Sequence, residues 1–313
     1  MIGIVKHYKD GLLAVWREKQ LLFCVYSFNF IFAYLLALPV SMMFSQSLSE
    51  TTAAEKMLEA FDYTLYIAIR THFGQGLSLG RLLLTIGLFY VVFNLFFSGG
   101  IIYVFVSRQK FILADFLRAC ITYFMRFLKL FGFSLIFISL AILLYNLLSR
   151  LSGLMIKDAA TEHLPLLLFI LRIMILAGIL IFINMLFDYA KIITVANDYT
   201  GMFKTFRIAL IFISGSLVKT ISLYKLYLFT AVLIFLIYWS VESFLKVSGG
   251  IMVLVFFLWT QIYVLQKLWV RLSFFSGQAA FYLHSDTALP AMVRQKLAEA
   301  AASHEESALN SDQ

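Results

Sequence analysis

Few residues in this chain combine a reactive type with a telling position. Asp188 and Lys191 stand three apart in "FDYAKI", directly after a long apolar run. That spacing puts carboxylate and ammonium on one face of a helix, where they can pair. An acid at such a border serves either as a proton or cation site or as a boundary ion pair. Asn29, Asn94 and Gln261 lie inside other apolar runs. They sit about 8, 12 and 9 residues from one end of their runs, within about 6 Å of a common level at 1.5 Å per residue. Ser134 and Thr230 fall near the same level. Amides in lipid take partners, so this level reads as interhelical glue or as a small polar vestibule. His72 and His163 belong to separate segments, which would have to meet before the two could share a metal.

The elements that position these residues are set by composition. Hydrophobic residues make up 62% of the chain and charged residues 13%, and the mean hydropathy is +0.91. Soluble domains are about half apolar and a quarter charged, so lipid is the main solvent here. Six runs approach the roughly 20 apolar residues that cross a bilayer as a helix: 21–44, 82–106, 127–148, 166–187, 224–244 and 251–270. Lipid offers no partner to free backbone groups, so each run is expected to be helical. The fold class is thus all-α: a polytopic membrane protein with a six-helix domain over 1–284 and a polar, disordered tail over 285–313.

Lysine and arginine fix the expected orientation. With the N-terminus inside, 18 of the 25 fall on the inner side. Seven fall outside: Lys56, Arg70, Arg81, Arg150, Lys157, Arg172 and Lys246. The bias predicts an N-in/C-in topology. The net charge of +8 is spread along every inner border, which points to anionic phospholipid headgroups and away from nucleic acid. Cys24 and Cys120 fall on the inner side and read as small packing residues.

Two connections and the N-terminus are amphipathic. In 111–129, Phe116, Leu117, Cys120, Phe124 and Phe127 share one helical face, and Arg118, Thr122, Arg126 and Lys129 the other. In 202–217, Phe203, Phe206, Leu210 and Ile213 oppose Lys204 and Arg207. Both segments read as interfacial helices at the inner surface, or as skewed extensions of the next span. In the N-terminal stretch, Tyr8, Leu12, Val15 and Trp16 are expected to face lipid while Lys9, Arg17 and Lys19 face water. The external segment 45–81 opens a helix with the capping box Thr52–Glu55. Pro39 is expected to break the last turns of the first span, and Arg172 to snorkel to the outer interface.

"FFSGG" at 96–100 recurs as "FFSGQ" at 274–278, a match of the size chance allows in so Phe-rich a chain. At a ninety-residue offset Phe97 meets Phe187 and Phe116 meets Phe206, which hints at duplication. Walker A, HExxH, GxSxG and dinucleotide motifs are absent, so no cofactor, metal or catalytic residue is expected.

"GLLAVWREKQLLFCVYSFNFIFAYLLALPV", "EKMLEAFD", "FFSGG", "FDYAKI" and "WTQIYVLQKLWVRL" resemble a family of uncharacterised bacterial six-span integral membrane proteins. The layout is distantly similar to the membrane domain of glycerophosphodiester phosphodiesterases. The resemblance implies a multi-pass protein of the bacterial inner (plasma) membrane and carries over no catalytic residue. The leading functional expectation is a non-enzymatic accessory or scaffold protein, partnered by the lipid bilayer and another membrane protein. The alternatives are a small transporter using Asn29, Asn94 and Gln261, and a membrane-embedded lipid enzyme using Asp188.

Overall fold

The computed structural model describes residues 2–48, 77–156, 163–198, 201–244 and 250–285. Among them it forms seven α-helices and no strand. They are α1 (Ile2–Arg17), α2 (Lys19–Leu48), α3 (Leu77–Ser107), α4 (Leu113–Ile156), α5 (His163–Ala196), α6 (Met202–Phe244) and α7 (Gly250–Leu283). All except α1 are long and apolar enough to cross a membrane.

The amphipathic segments are not separate helices. Residues 113–129 continue into the third span as α4, 44 residues or about 66 Å long. Residues 202–217 continue as α6. A bilayer core of about 30 Å accounts for only half of either length. The helix bends in α6 at Ser216 (φ −133°, ψ 24°). Ser216 Oγ donates to Phe212 O at 2.7 Å, and Thr220 Oγ1 donates back to Ser216 O at 3.0 Å. Such back-bonding competes with the helix ladder and bends it. Pro39 behaves otherwise than expected: α2 runs through it to Leu48. One lost hydrogen bond does not end a helix that has no alternative partner in lipid. The Thr52–Glu55 helix, His72 and the tail beyond 285 lie outside the described residues.

Burial is uneven along the helices. Val25, Leu95–Phe105, Phe116–Leu130, Ile183–Val195 and Leu268–Tyr282 supply most of the buried residues. The other halves expose Leu84–Val92, Leu135–Leu147, Leu166–Met174, Leu233–Ile237 and Ile251–Leu258. Hence the bundle has a packed end and an open end. The packed end holds the first and last described segments together: the His7 ring lies 5.5 Å from that of His284. Here α1 packs along α7. Val15 is 1% exposed and faces protein, not lipid as its helical stripe implied. Tyr8 and Leu12 pack on the same core, and only Trp16 keeps an open surface.

Two hairpins repeat. α3 and α4 are joined at 108–112, and α5 and α6 at 197–201. Among the described residues two non-glycines have positive φ, Arg108 (53°) and Asp198 (49°). They are ninety residues apart, the same offset as the phenylalanines. Phe97 lies 5.8 Å from Phe116, and Phe187 lies 6.0 Å from Phe206. The second pair thus repeats both the positive-φ residue and the ring pair of the first. The recurring "FFSG" also marks close approaches. A Cβ at Gly99 would meet Tyr123 Cβ at 3.1 Å, and one at Gly277 would meet Tyr227 Oη at 2.4 Å.

Candidate functional site

The polar side chains converge where the packed end gives way to the open end. α5 leaves its exposed apolar stretch at Asn184 and places Asp188 among α6 and α7, 7% exposed. The Asp188 carboxylate accepts from Tyr224 Oη at 2.9 Å and from Asn184 Nδ2 at 3.2 Å. Lys191 Nζ lies 3.6 Å from its other oxygen. Tyr224 Oη in turn accepts from Gln278 Nε2 at 2.7 Å. Gln278 is fully buried, and its Oε1 has no partner among the described residues. A line of hydrogen bonds therefore runs Gln278–Tyr224–Asp188 from α7 through α6 to α5. Tyr224, Asn184 and Lys191 together hold the carboxylate, and no histidine is among these partners. Through this line the carboxylate ties α5 to α6 and α7.

Asn29, Asn94 and Gln261 divide into two places. Asn29 and Asn94 line one small cavity together with Arg271. Asn94 Oδ1 accepts from Arg271 Nη1 at 2.5 Å, while its amide donates to Tyr90 O. Asn29 donates back to Val25 O. The space between them is about 10 Å³, at the lower limit for one water. Gln261 stands apart and accepts from Tyr26 Oη at 2.9 Å. The contact with Arg271, one residue beyond the expected end of the sixth span, shifts the level of Asn94. Both residues lie well inside their helices, which run on to Ser107 and Leu283, so depths counted from the ends of different apolar runs do not share one zero. Ser134 and Thr230 also stand elsewhere: Ser134 donates to Phe131 O, and Thr230 shares a 2.6 Å hydrogen bond with Tyr8.

A cavity of about 400 Å³ adjoins the line of hydrogen bonds, between α5, α6 and α7. Its polar lining comes from Asn184, Tyr224, Tyr227, Tyr263, Lys267 and Arg271, and its apolar wall from Leu228, Ala231, Ile234, Val270 and Phe274. Below it, Tyr227 Oη donates to Tyr8 O at 3.2 Å and sits between Gly11 and Gly277. A second cavity, about 350 Å³, lies between α1, α3 and α7 and mixes Asp10 and Glu18 with Arg17, Arg108 and His284. Among the described residues no cluster of three or more His, Cys, Asp or Glu is placed to hold a metal.

Arg172 makes a specific contact on the open half. Its Nη1 donates to Ser149 Oγ at 2.7 Å, and its guanidinium lies 6.0 Å from the Tyr145 ring centre, joining α5 to α4. Several residues of the site carried no sequence signal beyond their type. Arg271 was one inner cation among many, and Tyr224 and Gln278 lay in apolar or mixed runs. The "FFSGQ" motif was the one available pointer, since it contains Gln278 and the Gly277 that admits Tyr227.

No known protein family, curated protein or solved structure matches the chain.

Proposed function

We propose that the chain is a non-enzymatic accessory or scaffold protein of a bacterial plasma membrane. In this reading its packed end and both described chain ends face the cytoplasm, and it engages another membrane protein at the inner surface. The observation that carries the reading is the division of burial. One end is a protein-solvated helical layer and the other is six sparsely packed apolar rods. The lysine and arginine bias assigns the packed layer to the inside.

On that layer α4 exposes Ile121, Met125 and Leu128 at helical spacing, Ile121 at 68%. Arg118 and Lys129 stand exposed beside them. Apolar stripe and cations together suit the juxtamembrane helix of a partner protein over anionic headgroups. A transporter needs a hydrated route, and the Asn29–Asn94 gap is about one water wide. A lipid enzyme needs a free base, and Asp188 is engaged by Tyr224, Asn184 and Lys191.

The test is site-directed photocrosslinking in native membranes, with a photoreactive residue in place of Ile121. The reading expects one discrete protein adduct, which Met125→Glu abolishes while thermal stability is retained. Adducts with lipid alone, or an adduct indifferent to Met125→Glu, refute it.

A further inference from the structure

We infer that the cavity between α5, α6 and α7 is a binding site for a single anionic phospholipid. The phosphate would lie on Lys267 and Arg271, and the first acyl carbons along Leu228, Ala231 and Ile234. The inference is independent of the scaffold reading.

The cations come first. Lys267 and Arg271 are four apart on α7 and so share a face, one turn above the other. Both line the cavity, and no carboxylate does. The two ion pairs among the described residues are Arg126–Asp198 and Lys191–Asp188, so neither cation is neutralised by an acid. Arg271 commits Nη1 to Asn94, which aims the guanidinium and leaves it further donors. Asp188 is close behind the wall, but Tyr224 stands between them and Lys191 balances its charge.

The walls narrow the ligand class. A site for free phosphate would be small and polar throughout. This one holds about 400 Å³ and sets Leu228, Ala231 and Ile234 of α6 across from its cations on α7. Leu228 is 64% exposed, so the wall passes directly into the lipid-facing side of α6. The level also fits. Trp269, two residues from Lys267 and from Arg271, meets Trp16 edge-on at 6.3 Å, and tryptophans collect at the headgroup boundary. Tyr263, which lines the cavity on the side of the open end, stacks on Tyr238 at 4.3 Å. A charged head with an apolar tail attached is the chemistry that matches both halves.

The experiment uses the full chain in phosphatidylcholine nanodiscs doped with phosphatidylglycerol that carries a diazirine near the start of one acyl chain. After irradiation, mass spectrometry locates the adducts. The expected adducts fall on residues 228–234 of α6 and are competed by unlabelled phosphatidylglycerol but not by millimolar inorganic phosphate. Lys267→Gln, at an exposed position with no ion pair, lowers the yield about fivefold, the worth of one cation near an anionic surface. Lys129→Gln, away from the cavity, leaves it unchanged. Arg271→Lys, which keeps the charge if Arg271→Gln fails to fold, retains most of it. Equal labelling by a diazirine phosphatidylcholine overturns the inference. So does competition by inorganic phosphate, or a yield that Lys267→Gln does not alter.

Discussion

Gly277→Ala isolates the contact that locks α1 to the packed end. The added Cβ would stand 2.4 Å from Tyr227 Oη and 3.1 Å from both Cε2 and Cζ of the same ring. All three nearest atoms belong to one side chain, which is itself held by its hydrogen bond to Tyr8 O and by ring contacts to Tyr8 and Phe274. The ring must move, and overpacking of this kind costs about 1–3 kcal/mol. Alanine regains about 0.5–1 kcal/mol of helix propensity over glycine, so the net loss is at most about 2.5 kcal/mol, and the deficit against an unhindered glycine-to-alanine change is the full ~1–3 kcal/mol. Tyr227→Phe removes the nearest atom and, alone, costs about 1 kcal/mol for the lost hydrogen bond. In that background Gly277→Ala should cost less than about 0.5 kcal/mol, since the remaining contacts need only a small shift. Gly132, whose Cβ would meet nothing within 4 Å, is the control, and Gly132→Ala should be neutral or stabilising. Unfolding of the four variants in nanodiscs, followed by tryptophan fluorescence, gives the coupling. If Gly277→Ala is as stable as Gly132→Ala, or its cost is the same in both Tyr227 backgrounds, the packing argument is wrong. At Gly11 the same substitution also strikes backbone, at Ser273 O and Gly277 N, so Tyr227→Phe should not rescue it.

Two further outcomes follow from the site and the α1–α7 contact. Tyr224→Phe removes the shortest of the hydrogen bonds to Asp188, leaving Asn184 and Lys191 as its partners, and deprives the buried Gln278 amide of its acceptor. The loss should be about 1–3 kcal/mol, read as a lower unfolding midpoint with unchanged helix content by circular dichroism. For His7, burial first and then His284 and Lys6 lower the pKa below its ordinary 6.5, with Asp10 opposing. The folded state therefore resists the proton that the unfolded chain accepts. Stability holds above about pH 6.5 and falls as the pH drops below it. His7→Phe should flatten the loss of stability between pH 7 and 5, measured as the unfolding midpoint across that range.

The six long helices were legible because each run is apolar over more than a bilayer's depth, and no other secondary structure satisfies a backbone there. The ninety-residue correspondence was legible in part: Phe97/Phe187 and Phe116/Phe206 carried the offset, but nothing in the sequence marked Arg108 and Asp198 as matching positive-φ residues. The levels were harder to read. Depth counted from the end of an apolar run placed Asn94 far from Arg271, whereas the two meet well inside helices that run on to Ser107 and Leu283. Apolar composition does not distinguish a residue buried by protein, such as Ile102, from one facing lipid, such as Leu88. For the same reason Val15 resembled a membrane-facing residue until α7 was seen to cover it. Asn184 and Gln278 gained their roles only from interhelical register, which no local spacing specifies.

The account rests on the packed, cation-bordered end being inside and the open end being outside. Membrane-impermeant thiol labelling tests this directly, in a chain lacking Cys24 and Cys120 and carrying either Lys129→Cys or Ser243→Cys. The account predicts that Lys129→Cys labels only in inverted vesicles and Ser243→Cys only in right-side-out ones. The reverse pattern, or labelling of both positions from one side, would contradict it.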